Sequence, residues 1–131
     1  MVKQCLNIKQ MQHLKDLGVD ISKASMCWMK YSGYEKEIVE VHNEYCYEMA
    51  YIKPFPAFTF QDIFQMMPPQ IQGENGEFLR LCIISFYGIC YLDIDNNAYK
   101  VFTIKKDILQ SGYEMLCWLA ENKLLGKDEK E

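Results

Sequence analysis

The segment from Leu79 to Tyr87 constrains the fold more strongly than any other part of the sequence. Nearly all of its residues are apolar, a loop containing Gly73 and Gly76 precedes it, and Gly88 follows it. A continuous apolar run of this length between turn signals is typical of a strand that is covered on both faces. We therefore predict a long strand over residues 77–87 at the centre of a sheet.

Other segments predict further strands. Residues 26–31 are rich in bulky side chains, residues 37–42 alternate in part between polar and apolar positions, and residues 45–51 place large side chains on one face. Residues 54–57 contain two prolines and are expected to be non-helical. Residues 89–93 and 99–104 predict a hairpin, because the residues between them include Asp and Asn, which tolerate positive φ angles.

The N-terminal helix has clear start and stop signals. Asn7 and Gln10 match a capping box, in which each side chain satisfies a backbone N–H of the first turn. Apolar residues then recur at helical spacing, and Gly18 supplies a left-handed stop. We predict a helix over residues 8–17.

Two more helices are predicted further along the chain. Thr59 is a good N-cap for a short helix that a proline pair ends. Asp107 caps the last helix, which has the most regular amphipathic spacing in the chain. We expect this last helix to end at Gly126.

The order of these elements predicts the fold class. A helix, two or three strands, a short helix, three strands and a final helix do not alternate as parallel βαβ units would. We predict a single-domain α+β fold with a mostly antiparallel sheet of about five strands. The N-terminal, middle and C-terminal helices pack on one face of it. Residues 1–126 form this domain, and the charged residues 127–131 are expected to be a disordered tail.

Charge and hydropathy exclude several classes of partner. The formal net charge is -4, and Arg80 is the single arginine. Nucleic-acid-binding surfaces usually concentrate basic residues, so nucleic acid is not an expected partner. The longest uncharged run, residues 81–92, is shorter than the roughly 20 residues of a membrane helix. The N-terminal residues lack a signal-peptide core. We expect a cytoplasmic protein that does not bind a membrane.

The sequence predicts neither a metal site nor a cofactor. The six cysteines are irregularly spaced without a C-x-x-C pair, and only two histidines accompany them. Most of these cysteines have apolar neighbours and are predicted to be buried. Asp93 begins a run that resembles a calcium loop, but Ala98 and Ile104 occupy the positions where such a loop needs Gly and Glu. We predict a hairpin turn there instead.

Catalytic chemistry has one weak candidate pair, Cys46 and His42. On an extended strand the four-residue separation spans roughly 13 Å, too far for a hydrogen bond. A turn between them would be needed to bring the imidazole to the thiol. We favour a non-enzymatic protein, with a small cysteine-dependent hydrolase using Cys46 and His42 as an alternative.

Aromatic residues are concentrated between residues 31 and 60. The candidate interaction patch consists of Tyr31, Tyr34, Tyr45, Tyr47, Tyr51 and Phe55. Aromatic side chains are enriched at the cores of interfaces, so we predict protein–protein contact or self-association as a homodimer. Two alternatives stay open. The aromatic side chains fill the core of a small sheet, or they stack on the bases of single-stranded nucleic acid.

Three stretches resemble a group of small uncharacterised proteins from prophages and mobile elements of gut bacteria. They are residues 24–28 (ASMCW), residues 56–63 (PAFTFQDI) leading into Met67 and Pro68, and residues 113–122 (YEMLCWLAEN). The likeness covers about residues 8–125. Phe60 stands in place of a leucine and Pro69 follows Pro68, which affects packing and the helix end. The resemblance implies an accessory protein of a phage or mobile element, and it assigns no site residue.

Overall fold

A computed structural model describes residues 5–30, 38–41, 52–84 and 87–125, and the structural statements below concern these residues. They contain three α-helices, a short 3-10 helix and seven strands. In chain order these are α1 (Ile8–Asp16), the 3-10 helix (Ile21–Lys23), β1 (Met26–Lys30), β2 (Ile38–Val41), β3 (Ile52–Ala57), α2 (Phe60–Met66), β4 (Gln70–Gln72), β5 (Phe78–Ile83), β6 (Gly88–Asp93), β7 (Ala98–Ile104) and α3 (Ile108–Glu121). The α+β class with N- and C-terminal helices is confirmed.

The strands form two antiparallel sheets, whereas the sequence predicted one sheet of about five strands. The first sheet has the order β2-β1-β3 and the second has the order β4-β5-β6-β7. The chain also divides into two compact units, residues 1–62 and residues 63–131, and each unit contains one of the sheets. The prediction lacked β4, because two of its three residues are glutamine and it carries no apolar alternation.

The first unit begins with α1, whose two ends follow the predicted signals. The Asn7 side chain accepts a hydrogen bond from the Gln10 backbone, and the Gln10 side chain accepts one from the Asn7 backbone. At the other end Gly18 has a φ of 94°. The Val19 N–H donates to the Leu14 carbonyl at 3.0 Å, which completes a Schellman motif. The capping box and the glycine stop are both confirmed.

The buried side chains of the first unit come from α1, the 3-10 helix, the ends of the strands and the adjoining loops. They are Cys5, Leu6, Met11, Leu14, Val19, Ile21, Ala24, Cys27, Ala57 and Phe58. The half-buried Trp28 adds a hydrogen bond from its indole Nε1 to the Leu6 carbonyl at 2.8 Å. This bond ties β1 to the segment that precedes α1.

The first turn of α2 is capped as the sequence predicted. The Asp62 N–H donates to the Thr59 hydroxyl at 3.1 Å, and the Thr59 N–H donates to the Asp62 carboxylate at 3.0 Å. The same carboxylate accepts two bonds from Ser25, one from its backbone and one from its hydroxyl. Asp62 therefore fixes both the start of α2 and the entry to β1.

In the second unit β6, and not the predicted 77–87 segment, is the strand covered on both faces. Five of the six residues of β6 are buried, whereas β5 has a single buried residue, Leu79. The prediction that residues 77–87 form a strand buried on both faces is therefore wrong. The apolar residues of β5 are covered only in part, since Leu79 is buried, Leu81 and Cys82 are half-buried, and Ile83 is exposed.

Helix α3 contacts β6 and β7 and ends earlier than predicted. Asp107 caps its start by accepting a hydrogen bond from the Gln110 backbone at 2.7 Å, as predicted. At its end Lys123 adopts a left-handed φ of 58°, and the Leu124 N–H donates to the Leu119 carbonyl at 2.8 Å. This Schellman motif places lysine where glycine is usual. The predicted end at Gly126 is therefore wrong, and residues 126–131 lie outside the described part.

Candidate functional site

Most of the site residues predicted from the sequence lie outside the described part of the chain. These are Tyr31, Tyr34, Tyr45, Tyr47 and Tyr51 of the aromatic patch, and His42 and Cys46 of the cysteine–histidine pair. Both the patch and the pair stay predictions. Phe55 is the one member of the patch that the structure describes.

Phe55 is half-buried on β3 and lines an open cleft of about 550 Å³ in the first unit. Pro56, Val19 and Ile21 supply apolar walls, and Lys15, Asp20 and Ser22 supply the polar ones. The Asp20 carboxylate accepts hydrogen bonds from the Ser22 hydroxyl at 2.6 Å and from its backbone at 3.1 Å, and these bonds lower the pKa of Asp20. The Asp20 carboxylate is thus engaged by Ser22, and no histidine is among the lining residues to act as a base toward the Ser22 hydroxyl.

A different surface stands out in the second unit. Four large side chains, which we call the outer face, are each more than half exposed: Phe78 (63%), Tyr99 (57%), Phe102 (56%) and Ile104 (55%). An aromatic side chain has about 150–250 Å² of surface, so together they present roughly 400–500 Å² of apolar surface. Single exposed apolar residues are ordinary, whereas several of them on one face of a sheet form a larger apolar surface, which often has a function.

Strand register places these side chains on one side of the sheet. Phe102 pairs with Cys90, Tyr99 pairs with Leu92, and Ile104 pairs with Gly88, three positions of β6 that share a face. On the same face, Cys90 also pairs with Cys82 of β5, the strand that flanks the other edge of β6. Phe78 lies four residues before Cys82 and therefore belongs to the same face.

The opposite face of this sheet is covered by α3. Ile89 and Tyr91 of β6 are fully buried there, and Thr103, which pairs with Ile89, donates from its hydroxyl to the Ser111 carbonyl of α3 at 2.9 Å. The sheet therefore has one helix-covered face and one face that exposes aromatic and aliphatic side chains.

Gly88 fits closely beneath this surface. A Cβ atom at this position would lie 3.1 Å from the Ile104 side chain and 3.4 Å from the Ile84 side chain. The Ile104 side chain is thus held directly over the β6 backbone. A larger residue at position 88 would require the Ile104 side chain to shift by a few tenths of an ångström.

The outer face carries little charge. Across β4, β5, β6 and β7 the charged residues are Arg80, Asp93 and Lys100. Arg80 pairs with Leu92 and shares the outer face, while Asp93 pairs with Leu79 on the helix-covered face. Lys100 lies at a register irregularity between β6 and β7. The outer face therefore combines apolar side chains with one guanidinium and carries no acidic strand residue among those described.

The turn between β6 and β7 has the conformation that the sequence predicted. The buried Asp93 carboxylate accepts bonds from the Asn96 side-chain amide at 2.8 Å and the Asn96 backbone at 3.3 Å. These bonds lower the pKa of Asp93. Asn97 adopts a left-handed φ of 52°. Within the described ranges no three His, Cys, Asp or Glu side chains are grouped to hold a metal ion.

The outer face was not predicted from the sequence. The predicted aromatic patch lies between residues 31 and 60, where Phe55 is its one described member, and it stays a prediction. The spacing of Phe102 and Ile104, two residues apart in the last strand, is the signal that predicts a shared face. Packing between distant segments decides which face of the second sheet α3 covers, and no local sequence pattern indicates it.

Comparisons of the chain with protein-family models, curated protein sequences and solved structures find no match. The resemblance to prophage and mobile-element proteins stays a prediction. None of the described helices is long and apolar enough to cross a membrane. Function is therefore inferred from the outer face itself.

Proposed function

We propose that this protein acts through protein–protein contact, by self-association of two copies through the outer face. The observation that carries the proposal is the exposure of Phe78, Tyr99, Phe102 and Ile104 on one side of a single sheet. Keeping this much apolar surface in water is unfavourable, and burial against an equivalent surface recovers about 25 cal/mol per Å².

The area is sufficient for a symmetric dimer. Two copies of the outer face contribute roughly 800–1,000 Å² of apolar surface, and the backbone and polar atoms around them add more. Specific interfaces bury at least about 1,000 Å² in total. A two-fold arrangement uses the same patch on both copies, so no second patch is required.

The strand composition also favours packing against a like surface. Apart from Arg80, the outer-face positions of β5, β6 and β7 are uncharged, which limits the desolvation cost of covering them. Arg80 lies in the same row as Leu92 and Tyr99. Arginine and tyrosine are both enriched at interfaces, where a guanidinium stacks well on an aromatic ring.

Binding of single-stranded nucleic acid is the second candidate function. Three exposed aromatic rings and Arg80 share one face of a four-stranded antiparallel sheet, an arrangement on which bases can stack. Each stacked base is worth about 1–3 kcal/mol. The net charge of -4 opposes this function, because phosphate neutralisation supplies much of the affinity for nucleic acid.

A matched pair of variants tests the proposal by sedimentation velocity. Ile104→Ser removes an outer-face side chain that is 55% exposed, and Ile83→Ser removes one that is 52% exposed on the opposite face of the same sheet. Burying the exposed half of an isoleucine is worth about 1 kcal/mol. Because each dimer contains two copies, Ile104→Ser should weaken dimerisation roughly 30-fold. Ile83→Ser should leave the dissociation constant unchanged.

Two results would contradict self-association through this face. One is a wild-type protein that sediments as a monomer at the highest soluble concentration, and the other is an equal effect of the two variants. Fluorescence anisotropy with a labelled oligothymidylate accompanies the experiment. A monomer that binds the oligonucleotide, and loses binding in Phe102→Ser, would favour the nucleic-acid candidate instead.

A further inference from the structure

Two cysteine side chains face each other across the two central strands of the second sheet. Cys82 of β5 and Cys90 of β6 are register partners, and neither is in a disulfide. Their thiol groups are in hydrogen-bond contact with each other. Neither the predicted catalytic pair nor the proposed interface gives this dithiol a role.

The backbone separation suits a covalent bond between them. The Ile84 N–H donates to the Gly88 carbonyl at 2.9 Å, which makes Ile84 and Gly88 a hydrogen-bonded pair. Because bonded and non-bonded pairs alternate in antiparallel strands, Cys82 and Cys90 form the next bonded pair, with Cα atoms about 5.5 Å apart. Disulfides join Cα atoms roughly 4.4–6.8 Å apart.

The Cys82 and Cys90 thiols differ in solvent exposure. Cys82 is partly exposed, whereas Cys90 is fully buried. Burial raises the pKa of Cys90 to about 11, with the neighbouring Cys82 adding to the effect. The thiolate is the reactive form of cysteine, so the exposed thiol is the one that meets a reagent first.

We propose that Cys82 and Cys90 form a reversible cross-strand disulfide by exchange with a low-molecular-weight disulfide such as oxidised glutathione. The Cys82 thiolate attacks one sulfur of the reagent, forms a mixed disulfide and releases one reagent thiolate. Cys90 then loses its proton and attacks the Cys82 sulfur, which releases the second reagent thiolate. In total two protein thiols are oxidised and one reagent disulfide is reduced to two thiols.

The position of the pair favours an easily reversed bond. The hairpin already brings β5 and β6 together, so the disulfide closes a short loop and restricts the unfolded chain less than a bond between distant segments would. A smaller stabilisation of the oxidised form corresponds to a bond that cellular thiols reduce more readily. The bond itself depends on the register of β5 and β6 alone, but both cysteines lie on the outer face, so the exchange requires a monomer in which that face is open.

Peptide mapping tests the proposal on the full native chain, diluted to a concentration at which it sediments as a monomer. The protein is incubated with oxidised glutathione, its remaining thiols are alkylated under acidic denaturing conditions, and trypsin is added. Cleavage after Arg80 and Lys100 yields one peptide that contains both Cys82 and Cys90. The expected product is this peptide without alkylation and lighter by two hydrogens, and reduction followed by a second alkylation should convert it to the doubly alkylated form.

Cys117 provides an internal control in the same digest. It is buried in α3 in hydrogen-bond contact with Tyr113, and burial raises its pKa to about 11, so it should be recovered alkylated. Cys90→Ser should stop the exchange at a mixed disulfide on Cys82. A wild-type 81–100 peptide that is doubly alkylated, carries glutathione on both cysteines, or is linked to another peptide would overturn the proposal. A Cys90→Ser chain without glutathione on Cys82 would overturn it too.

Discussion

Ser111 of α3 joins three parts of the second unit through one buried side chain, and its removal should be costly. Its hydroxyl accepts a hydrogen bond from the Lys105 N–H at 2.9 Å and donates one to the Tyr87 carbonyl. Lys105 follows β7 and Tyr87 precedes β6, so the hydroxyl links the two strands to the helix. Ser111→Ala deletes both bonds while leaving the helix propensity favourable.

The expected loss of stability follows from the two hydrogen bonds that the substitution removes. A hydrogen bond contributes about 0.5–1.5 kcal/mol net, and the substitution removes two that are partly buried. The Lys105 N–H also lies 3.4 Å from the Tyr87 carbonyl oxygen, so a weak direct bond offsets part of the loss. We therefore expect the free energy of unfolding to fall by about 1.5 kcal/mol.

Urea denaturation followed by tryptophan fluorescence measures this loss in the second unit. Trp118 lies in α3 and Trp28 in β1, so a Trp28→Phe background leaves Trp118 as the single tryptophan. With a urea dependence of about 1–3 kcal/mol per M, the transition midpoint should fall by roughly 1 M. Ser22→Ala, an exposed change in the first unit, is the control and should not shift the Trp118 transition. A loss under about 0.5 kcal/mol would refute the reasoning, because it would mean that the hydroxyl bonds add nothing to the direct backbone contact.

Three further predictions concern the same unit. Lys123→Gly should raise the free energy of unfolding by about 1 kcal/mol, because glycine takes the left-handed conformation at the end of α3 without steric cost. An unchanged midpoint in thermal denaturation would contradict this prediction. Tyr91→Phe removes the 2.7 Å hydrogen bond from the phenol to the Pro68 carbonyl. It should lower the free energy of unfolding, measured by urea denaturation, by about 1 kcal/mol. An unchanged free energy would contradict this prediction, because it would mean that water replaces the phenol. Because hydrogen bonds from Asn96 lower the pKa of Asp93, the stabilisation from this carboxylate is complete above about pH 4 and is lost as the pH falls through the native pKa. Melting curves recorded down to about pH 3 should show a smaller acid loss for Asp93→Asn than for the wild type, and parallel curves would contradict the assignment.

Local signals in the sequence predicted helix starts well. Asn7, Thr59 and Asp107 each cap a helix as expected, because a capping bond involves residues only three apart in the chain. Gly18 likewise ends α1 where the sequence indicated. These features are set within one turn of chain, so they can be recognised without knowing what packs around them.

Features that depend on distant contacts could not be predicted in the same way. The end of α3 was missed because Lys123 takes a conformation that glycine usually supplies. The run at 79–87 was misread because composition does not say whether a second layer covers a sheet face. The outer face was missed for the same reason, since the exposure of Phe102 and Ile104 results from α3 packing on the other side.

Isotope-filtered NMR on a mixed sample offers the most direct test that two copies meet through the outer face. A sample containing equal amounts of labelled and unlabelled chains gives nuclear Overhauser effects between copies only where their side chains are in contact. We predict such effects from the rings of Phe78, Tyr99 and Phe102 to aliphatic protons of the other copy, including Ile104. Intermolecular effects that arise instead from Ile83, on the helix-covered face, would contradict the proposed interface, as would a concentrated sample that yields none.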